Sequence, residues 1–280
     1  MKSHSKKPGK KAASSAASNI VLKDASQHLM NTYKRSDMIF THGRGCYVFD
    51  QNGKKYLDFL GGIAVNALGY SYPDLVKTIR REAGRAVHVS NLFHNPFQGP
   101  LAAKLAKWSG MDRAFFTNSG SEAVEGALKL ARIAAKKKPG GGTKTRFLAL
   151  ENSFHGRTFG ALSITHTLKY REPFEPLVPG VDFVRLNDVA DLDSKFTDEV
   201  CAAIIEPIQG EGGIYPVTNE FWKRARELAA GHGAALIADE IQCGLGRTGI
   251  AFAYQRLTGL PDIVAPDTSG GVMVLINQTK

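Results

Sequence analysis

Apolar runs that read as β-strands alternate with segments of helical periodicity between residues 114 and 241. The strand-like runs are AFFTN, RFLALEN, VCAAIIEPI and AALIADEI, and the helical segments are SEAVEGALKLARIAAKKK and EFWKRARELAA. Strands that are apolar on both faces and alternate with helices are typical of a parallel sheet covered by helices on both sides. The sequence therefore predicts an α/β fold with a mostly parallel sheet sandwiched by helices, in which ligands bind at the carboxyl ends of the strands.

The segment that precedes this region has hairpin and helix signals. IFTHGRGCYVFDQNGKKYLDFL, residues 39–60, reads as two strands joined across Asn52-Gly53, because both residues tolerate a positive φ. One helix is predicted to begin near Pro73, and another to run from about Pro100 to a stop at Gly110.

The net charge of +10 does not predict a nucleic-acid-binding protein. The basic cluster AAKKKPGGGTKTR has no interleaved aromatic residues on which bases would stack, so it reads as a basic loop. Residues 1–18 read as a basic flexible tail, because the first twelve positions hold five lysines and no acidic residue, namely Lys2, Lys6, Lys7, Lys10 and Lys11.

The sequence also indicates the compartment. No apolar run approaches the roughly 20 residues that a membrane span needs, and the start lacks the apolar stretch of a signal peptide. Cys46, Cys201 and Cys243 are odd in number and far apart, which favours reduced thiols over a disulfide framework. We expect a cytoplasmic protein that does not bind membranes.

Polar residues follow the first strand-like run. Ser119, Gly120 and Ser121 enter a helix whose first turn carries Glu122. Free N–H groups at a helix start bind anions, and glycine allows a ligand to approach the backbone closely. The same residues also fit a plain capping box, with Ser119 or Ser121 as the N-cap, and taken alone the segment favours the cap.

Two further strand ends carry candidate residues. ENSFHGRT offers the ring face of Phe154, the titratable His155 and the guanidinium of Arg157, which is suited to a carboxylate. EPIQGEGG places Glu206 at the end of a buried strand, with Gln209 close behind it. A buried carboxylate needs a partner, so Glu206 either balances an arginine or lines a site, and the sequence leaves both open.

The fourth strand end, ADEIQCGLGRTG, holds Asp239 and Gln242. An aspartate at this depth can keep a cationic ring nitrogen protonated, because opposite charges in a low dielectric stabilise each other. Gly244, Gly246 and Gly249 also satisfy the dinucleotide fingerprint G-x-G-x-x-G. The fingerprint needs a long helix after it, and the following residues allow only a short one, so a nicotinamide-dependent oxidoreductase is a weak alternative.

Taken together, the motifs resemble those of class III aminotransferases, and most of all the acetylornithine and succinylornithine subgroup. The resemblance runs from about Ile20 to Val264 through FLGGIAVNALGYSYPDLV, HVSNLFHNPFQGPLA, NSGSEA, SFHGRT, EPIQGEGG and ADEIQCGLGRTG. It implies the large domain of a fold-type I transferase that depends on pyridoxal 5'-phosphate, with residues 19–72 as an N-terminal segment and 73–264 as an incomplete cofactor-binding domain.

The resemblance also implies roles for individual residues. Ser119, Gly120 and Ser121 would bind the cofactor phosphate, and Phe154 would stack on the pyridine ring. Further roles at the ring and the substrate would fall to Glu206 at the polar edge of the ring, Asp239 on the pyridinium nitrogen, Gln242 on the ring oxygen and Arg157 on a substrate carboxylate. No metal is implied.

One expected residue is missing. In relatives, the lysine that bonds covalently to the cofactor lies four residues past the valine of Pro-Asp-Ile-Val, and here that position is Thr268. We expect residues 265–280 to be a divergent tail that does not match the family, and the C-terminal small domain of the family to be absent. We therefore expect a truncated chain without a catalytic lysine and without activity.

The resemblance predicts the reaction of the full-length relatives. They would move an amino group from N-acetylornithine, or another ornithine-like donor, to 2-oxoglutarate in arginine biosynthesis. The substrates are small amino and 2-oxo acids, and full-length relatives are expected to be homodimers. A non-catalytic remnant or scaffold that still binds pyridoxal phosphate is the alternative.

Overall fold

The computed structural model describes residues 10–266 and 272–277. The chain divides into two compact units, Met1–Val89 and Ser90–Lys280. The sequence predicts this boundary after residue 72, whereas the first unit also contains the helix that begins at Pro73.

In its described residues, the first unit combines three helices with a small antiparallel sheet. Residues 10–18, which the sequence analysis places in a flexible tail, form the first half of a helix. This correction has a local reason, because the run AASSAAS is rich in alanine, the residue with the highest helix propensity. The elements are α1 (Lys10–His28), β1 (Phe40–Arg44), β2 (Tyr47–Asp50), β3 (Lys55–Leu57), α2 (Gly61–Ala64) and α3 (Pro73–Ala83).

The small sheet has three strands, whereas the sequence predicts two. The predicted hairpin across Asn52-Gly53 joins β2 to β3, and Gly53 adopts a φ of 79°. A second hairpin pairs β1 with β2, and Gly45, with a φ of 59°, lies in its turn. The additional turn divides the first predicted strand, because glycine adopts a positive φ at little cost.

The second unit carries the α/β layers. The helix that the sequence predicts near Pro100 is α4 (Gln98–Ser109), and its C-cap is Gly110 in the left-handed conformation. None of the described helices is both long and apolar enough to cross a membrane. The elements are α4 (Gln98–Ser109), β4 (Arg113–Thr117), α5 (Gly120–Lys137), β5 (Arg146–Leu150), α6 (Phe159–Ser163), α7 (Leu168–Arg171), β6 (Val181–Val184), α8 (Val189–Lys195), β7 (Val200–Ile205), β8 (Ile208–Gln209), β9 (Tyr215–Pro216), α9 (Asn219–His232), β10 (Ala235–Glu240), β11 (Ile263–Pro266) and β12 (Val272–Ile276), with 3-10 helices at Gly141–Thr143, Glu172–Phe174 and Ala253–Arg256.

The central sheet has seven strands in the order β4-β12-β11-β10-β7-β5-β6. Every neighbouring pair from β11 to β6 is parallel, and β12 is antiparallel to both β11 and β4. All strands except β12 therefore run in one direction, which confirms the predicted mostly parallel sheet. Their carboxyl ends meet at one edge, and this edge carries the candidate site.

The central strands β5, β7, β10 and β11 are buried on both faces, as their apolar sequences predict. In β5, Leu148 and Leu150 join one hydrophobic cluster, and Phe147 and Ala149 join another. The first cluster contains Trp222 and other residues of α9, and the second contains the apolar face of α5. Because successive residues of a strand point to opposite faces, each β5 residue supports one of the two helical layers.

Candidate functional site

The carboxyl ends of four strands bring the predicted site residues to one edge of the sheet. Ser119 follows β4, Phe154 follows β5, Glu206 follows β7, and Asp239 lies near the end of β10. The arrangement follows from the common direction of these strands. Thr268, where the resemblance expects a lysine, lies outside the described residues.

The first of these ends begins α5 with a side-chain cap. Ser119 is the N-cap, and its Oγ atom accepts a hydrogen bond from the Glu122 amide at 3.2 Å. The carboxylate of Glu122 accepts from the backbone N of Asn118 at 2.6 Å. The predicted cap is therefore confirmed. The first turn that follows, with Gly120 and Ser121, has N–H groups that lack intrahelical acceptors and are available to an anion.

A buried ion pair lies at the centre of the edge. The Nδ1 atom of His155 is 2.6 Å from Oδ2 of Asp239, and the two side chains are 0% and 3% exposed. Oδ1 of Asp239 accepts from the Ile241 amide at 3.1 Å. Burial alone would lower the pKa of His155, but the hydrogen bond and charge of Asp239 and the charge of Glu206 raise it above its usual value. The pair therefore joins an imidazole with a raised pKa to a buried carboxylate only 2.6 Å away.

Glu206 is a second buried acid beside this pair. Its carboxylate accepts hydrogen bonds from the amides of Phe154 at 3.1 Å and Gly210 at 3.4 Å. Burial raises the pKa of Glu206 to about 7, and the charge of His155 only partly opposes this shift. In the described residues, no ion pair joins Glu206 to an arginine, so the surroundings of Glu206 are backbone amides and the His155–Asp239 pair.

Gln242 lies against the loop that follows Glu206. A Cβ atom added to Gly210 would stand 1.8 Å from Oε1 of Gln242, so only glycine allows this contact without moving the amide. On the same loop, Nε2 of Gln209 donates to the Glu151 carbonyl at 2.8 Å. The loop is thereby joined to the end of β5, which carries Phe154.

Arg157 lies beside two aromatic rings. Its guanidinium carbon is 5.0 Å from the ring centre of Tyr170 and 5.9 Å from that of Phe154. The two rings meet edge to face at 6.2 Å. Both distances to the arginine are within the range of cation–π attraction. Tyr170 was not predicted, because a lone tyrosine in a helical segment gives no functional signal.

Glu240 is a buried acid that the sequence analysis does not single out. Its carboxylate accepts from the amides of Ala253 at 3.0 Å and Tyr254 at 2.7 Å. Burial raises the pKa of Glu240 to about 7. These bonds hold the segment that contains Gly244, Gly246 and Gly249 against the end of β10. A 3-10 helix at Ala253–Arg256 follows this segment. Among the described residues that follow the glycines, no long helix of the kind that a dinucleotide fingerprint requires is formed, as the sequence predicts.

The fold and the edge of polar side chains define an α/β transferase of the fold-type I class. Residues 30–275 match the family model of class-III aminotransferases, and the chain belongs to this family. The match continues past Val264, up to which the sequence analysis traces the resemblance, and includes most of β12.

The chain is similar in sequence to acetylornithine aminotransferases. The chain is 44% identical over 251 residues to the enzyme of Aquifex aeolicus, in an alignment that covers 88% of this chain and 66% of the relative. It is 46% identical over 237 residues to the enzyme of Clostridium acetobutylicum, with 85% and 61% covered. The chain therefore spans less than two thirds of the length of these relatives.

Solved structures of aminotransferases have the same fold. The ornithine aminotransferase of Toxoplasma gondii ME49 matches with a TM-score of 0.86 at 30% identity, over 97% of this chain and 67% of that chain. An ω-transaminase from Thermomicrobium roseum matches with a TM-score of 0.85 at 27% identity, over 94% and 66%. A further Toxoplasma gondii structure contains pyridoxal phosphate at partial occupancy in its active site. Pyridoxal 5'-phosphate is the cofactor that membership of this family implies.

Proposed function

We propose that the chain is the cofactor-binding part of a transaminase that moves an amino group from N-acetylornithine, or another ornithine-like donor, to 2-oxoglutarate in arginine biosynthesis. The observation that carries the proposal is the buried pair of His155 and Asp239 at the carboxyl edge of the sheet. A pair of this kind can hold a cationic ring nitrogen, because a buried carboxylate attracts a nearby positive charge.

The hydrogen-bond donors at the start of α5 fit the phosphate group of the cofactor. The first turn of α5 offers backbone N–H groups together with the hydroxyls of Ser119 and Ser121. A Cβ atom on Gly156 would lie 2.3 Å from Oγ of Ser121, so the chain keeps this hydroxyl free of side-chain bulk. In the proposal, Ser119, Gly120 and Ser121 bind the phosphate dianion, which the positive end of the helix dipole also favours.

The donor set also fits the ring and the substrate. In the proposal, Asp239 holds the ring nitrogen, Gln242 bonds the ring oxygen, and Phe154 packs on the ring face. Glu206 lies at the polar edge and fixes Phe154 through its backbone amide. Arg157, with its fork of N–H donors, binds a substrate carboxylate.

When bound, pyridoxal phosphate supplies an electron sink for the charge that develops as the substrate loses a proton. Asp239 favours the protonated state of the ring nitrogen, because a buried negative charge stabilises a nearby cation. Nδ1 of His155 lies 2.6 Å from Oδ2 of Asp239 and so fixes the position of that carboxylate. Arg157 orients the substrate, which removes part of the entropic barrier to reaction.

We also propose that the chain by itself does not catalyse transamination. Position 268 is threonine, whose hydroxyl cannot replace the amine that the family reaction needs as general base and acid. This residue favours the second candidate function, a chain that binds pyridoxal phosphate without catalysis. We also propose that the full-length protein is a homodimer. We place it in the cytoplasm, a proposal that the three free cysteines support.

A spectroscopic titration tests the proposal. Purified chain should change the absorption spectrum of pyridoxal phosphate with saturable binding, and Asp239→Asn should weaken that binding by at least tenfold, because the neutral amide no longer stabilises a cationic ring. Borohydride treatment should leave no cofactor covalently attached. A wild-type chain that does not bind the cofactor rejects the proposal, and amino-group transfer at a rate typical of enzymes rejects the predicted inactivity.

A further inference from the structure

One carboxylate on α5 holds the start of a neighbouring helix. Oε1 of Glu125 accepts hydrogen bonds from Oγ1 of Thr158 at 2.6 Å and from the amides of Gly160 at 2.8 Å and Ala161 at 3.2 Å. These donors belong to the N-terminus of α6, where amides have no intrahelical acceptor. Thr158 is the N-cap of α6 but makes no side-chain cap itself. Glu125 thus supplies the missing cap from another helix.

Ser121 contacts the same loop one helical turn earlier. Residues four apart in a helix lie on the same face, so Ser121 and Glu125 point to the loop together. Oγ of Ser121 accepts from the Arg157 amide at 3.4 Å. Two consecutive turns of α5 therefore hold residues 156–161, and the first of these turns begins the proposed phosphate site.

The close approach of the loop to α5 depends on glycine at two positions. A Cβ atom on Gly160 would stand 2.3 Å from Oε2 of Glu125. A Cβ atom on Gly156 would stand 2.3 Å from Oγ of Ser121, and the φ of Gly156 is +130°. Any side chain at either glycine would push the loop away from the helix, so the backbone around Arg157 is specified by contact with α5.

The side chain of Arg157 contacts two aromatic rings. Its guanidinium lies over the rings of Tyr170 and Phe154, as described above. These contacts do not fix the guanidinium by themselves, because its position also depends on the position of the Arg157 backbone. A movement of the loop away from α5 would therefore shift the guanidinium relative to the first turn of α5.

We propose that Glu125 is a positioning residue for Arg157, which it holds at a fixed place relative to the phosphate-binding turn of α5. The inference rests on the proposed function, because it assigns Arg157 to a carboxylate of the substrate. It extends that function by making the binding of the substrate carboxylate depend on a side chain that touches neither substrate nor cofactor.

A double-mutant cycle on the full chain tests this inference. Binding of 2-oxoglutarate is measured by calorimetry, with and without pyridoxal phosphate, for Glu125→Ala, Arg157→Ala and the double variant. We expect Glu125→Ala to weaken 2-oxoglutarate binding by about tenfold, which is typical of residues that act through one another. In the Arg157→Ala background, the Glu125 substitution should have no further effect.

Further variants separate positioning from general stability. Glu125→Gln keeps an acceptor oxygen and should restore affinity to within about threefold of wild type. Thr158→Val removes one donor to Glu125, folds with less perturbation than Glu125→Ala, and should give a smaller loss that also vanishes in the Arg157→Ala background. Lys129→Ala, an exposed change one turn further along α5, should leave binding unchanged.

The outcomes distinguish this inference from the proposed function. Additive losses in the double variant, or wild-type affinity in Glu125→Ala, overturn the role of Glu125. A wild-type chain that binds pyridoxal phosphate but not 2-oxoglutarate also overturns it and leaves the cofactor site standing. If the chain binds 2-oxoglutarate with the expected non-additivity but does not bind the cofactor, the positioning role of Glu125 is supported and the proposed function is rejected. If the chain binds neither ligand, both the positioning role and the proposed function are rejected.

Discussion

His155 and Asp239 form a hydrogen-bonded ion pair across two strand ends, with 2.6 Å between Nδ1 and Oδ2. His155 follows β5 and Asp239 lies in β10, and β7 separates these strands in the sheet. Both side chains are almost fully buried, so neither charge is hydrated and each depends on the other. The pair therefore stabilises the fold and the charge of the candidate site together.

Removal of His155 should destabilise the chain strongly. His155→Ala leaves the carboxylate of Asp239 buried without its cationic partner, and breaking a buried pair in this way costs about 3–5 kcal/mol. Urea-induced unfolding measures the loss. His232→Ala is a matched control, because His232 bonds Asp198 at 2.8 Å but Asp198 is 92% exposed, so the destabilisation should be much smaller than that of His155→Ala. Equal losses in the two variants would contradict the role of burial.

Glu206 should make stability decrease with rising pH. Its folded-state pKa of about 7 lies above the ordinary value of 4.5, mainly because of burial. The folded chain therefore binds this proton more tightly than the unfolded chain. The resulting stability is fully present below pH 4.5 and is lost as the pH rises through about 7.

Glu206→Gln removes this titration and keeps an acceptor oxygen for the Phe154 amide. Above pH 7 the variant should exceed the wild type in free energy of unfolding by up to about 3 kcal/mol, the equivalent of the pKa shift. Unfolding in urea from pH 4.5 to pH 8 measures the difference. Glu240, whose pKa is also raised to about 7 by burial, retains its own slope of the same sign in both proteins. A difference between variant and wild type that does not change with pH would contradict the prediction.

Gly210→Ala should alter cofactor binding more than stability. The added methyl group would lie 1.8 Å from Oε1 of Gln242, and the end of this flexible side chain can move aside at little cost to the fold. We expect Gly210→Ala and Gln242→Ala to shift the spectrum of bound pyridoxal phosphate in the same way, each with an affinity loss of about one hydrogen bond, or roughly 1 kcal/mol. Gly142→Ala, where the methyl group meets nothing within 4 Å, should match the wild type. An unchanged spectrum in Gly210→Ala would contradict the proposed contact between Gln242 and the cofactor.

The sequence predicts those features that depend on a few neighbouring residues. The cap at Ser119, the helix end at Gly110 and the hairpin at Asn52-Gly53 each follow from local backbone chemistry. The type of the sheet follows from apolar runs that alternate with helices. The order of strands within the sheet does not, because it depends on packing between segments distant in the chain.

The partners of the candidate residues could not be predicted for the same reason. His155 and Asp239 are 84 positions apart, and the strand order alone brings them together. Glu125 is a polar position on an amphipathic helix, and helical periodicity accounts for it without any partner. The sequence therefore indicates which residues carry chemistry, and the fold determines which of them act on one another.

The chain should also associate through the exposed edge of its central sheet. β4 is the first strand in the sheet order, and Phe115 in this strand is 57% exposed. An edge strand presents unpaired backbone groups, and lysine on such strands opposes pairing. Phe115→Lys should weaken the formation of species larger than a dimer by about tenfold or more, because burial of one phenylalanine contributes about 2 kcal/mol.

Sedimentation velocity over a range of concentrations measures this association. Phe174→Lys is the matched control, because Phe174 is 55% exposed but belongs to a 3-10 helix away from the strands of the sheet. If the edge is responsible, Phe115→Lys remains at or below the dimer at concentrations where the wild type and Phe174→Lys form larger species. Equal suppression by both lysines would instead assign the effect to added positive charge, and no suppression would show that the edge of β4 does not drive association.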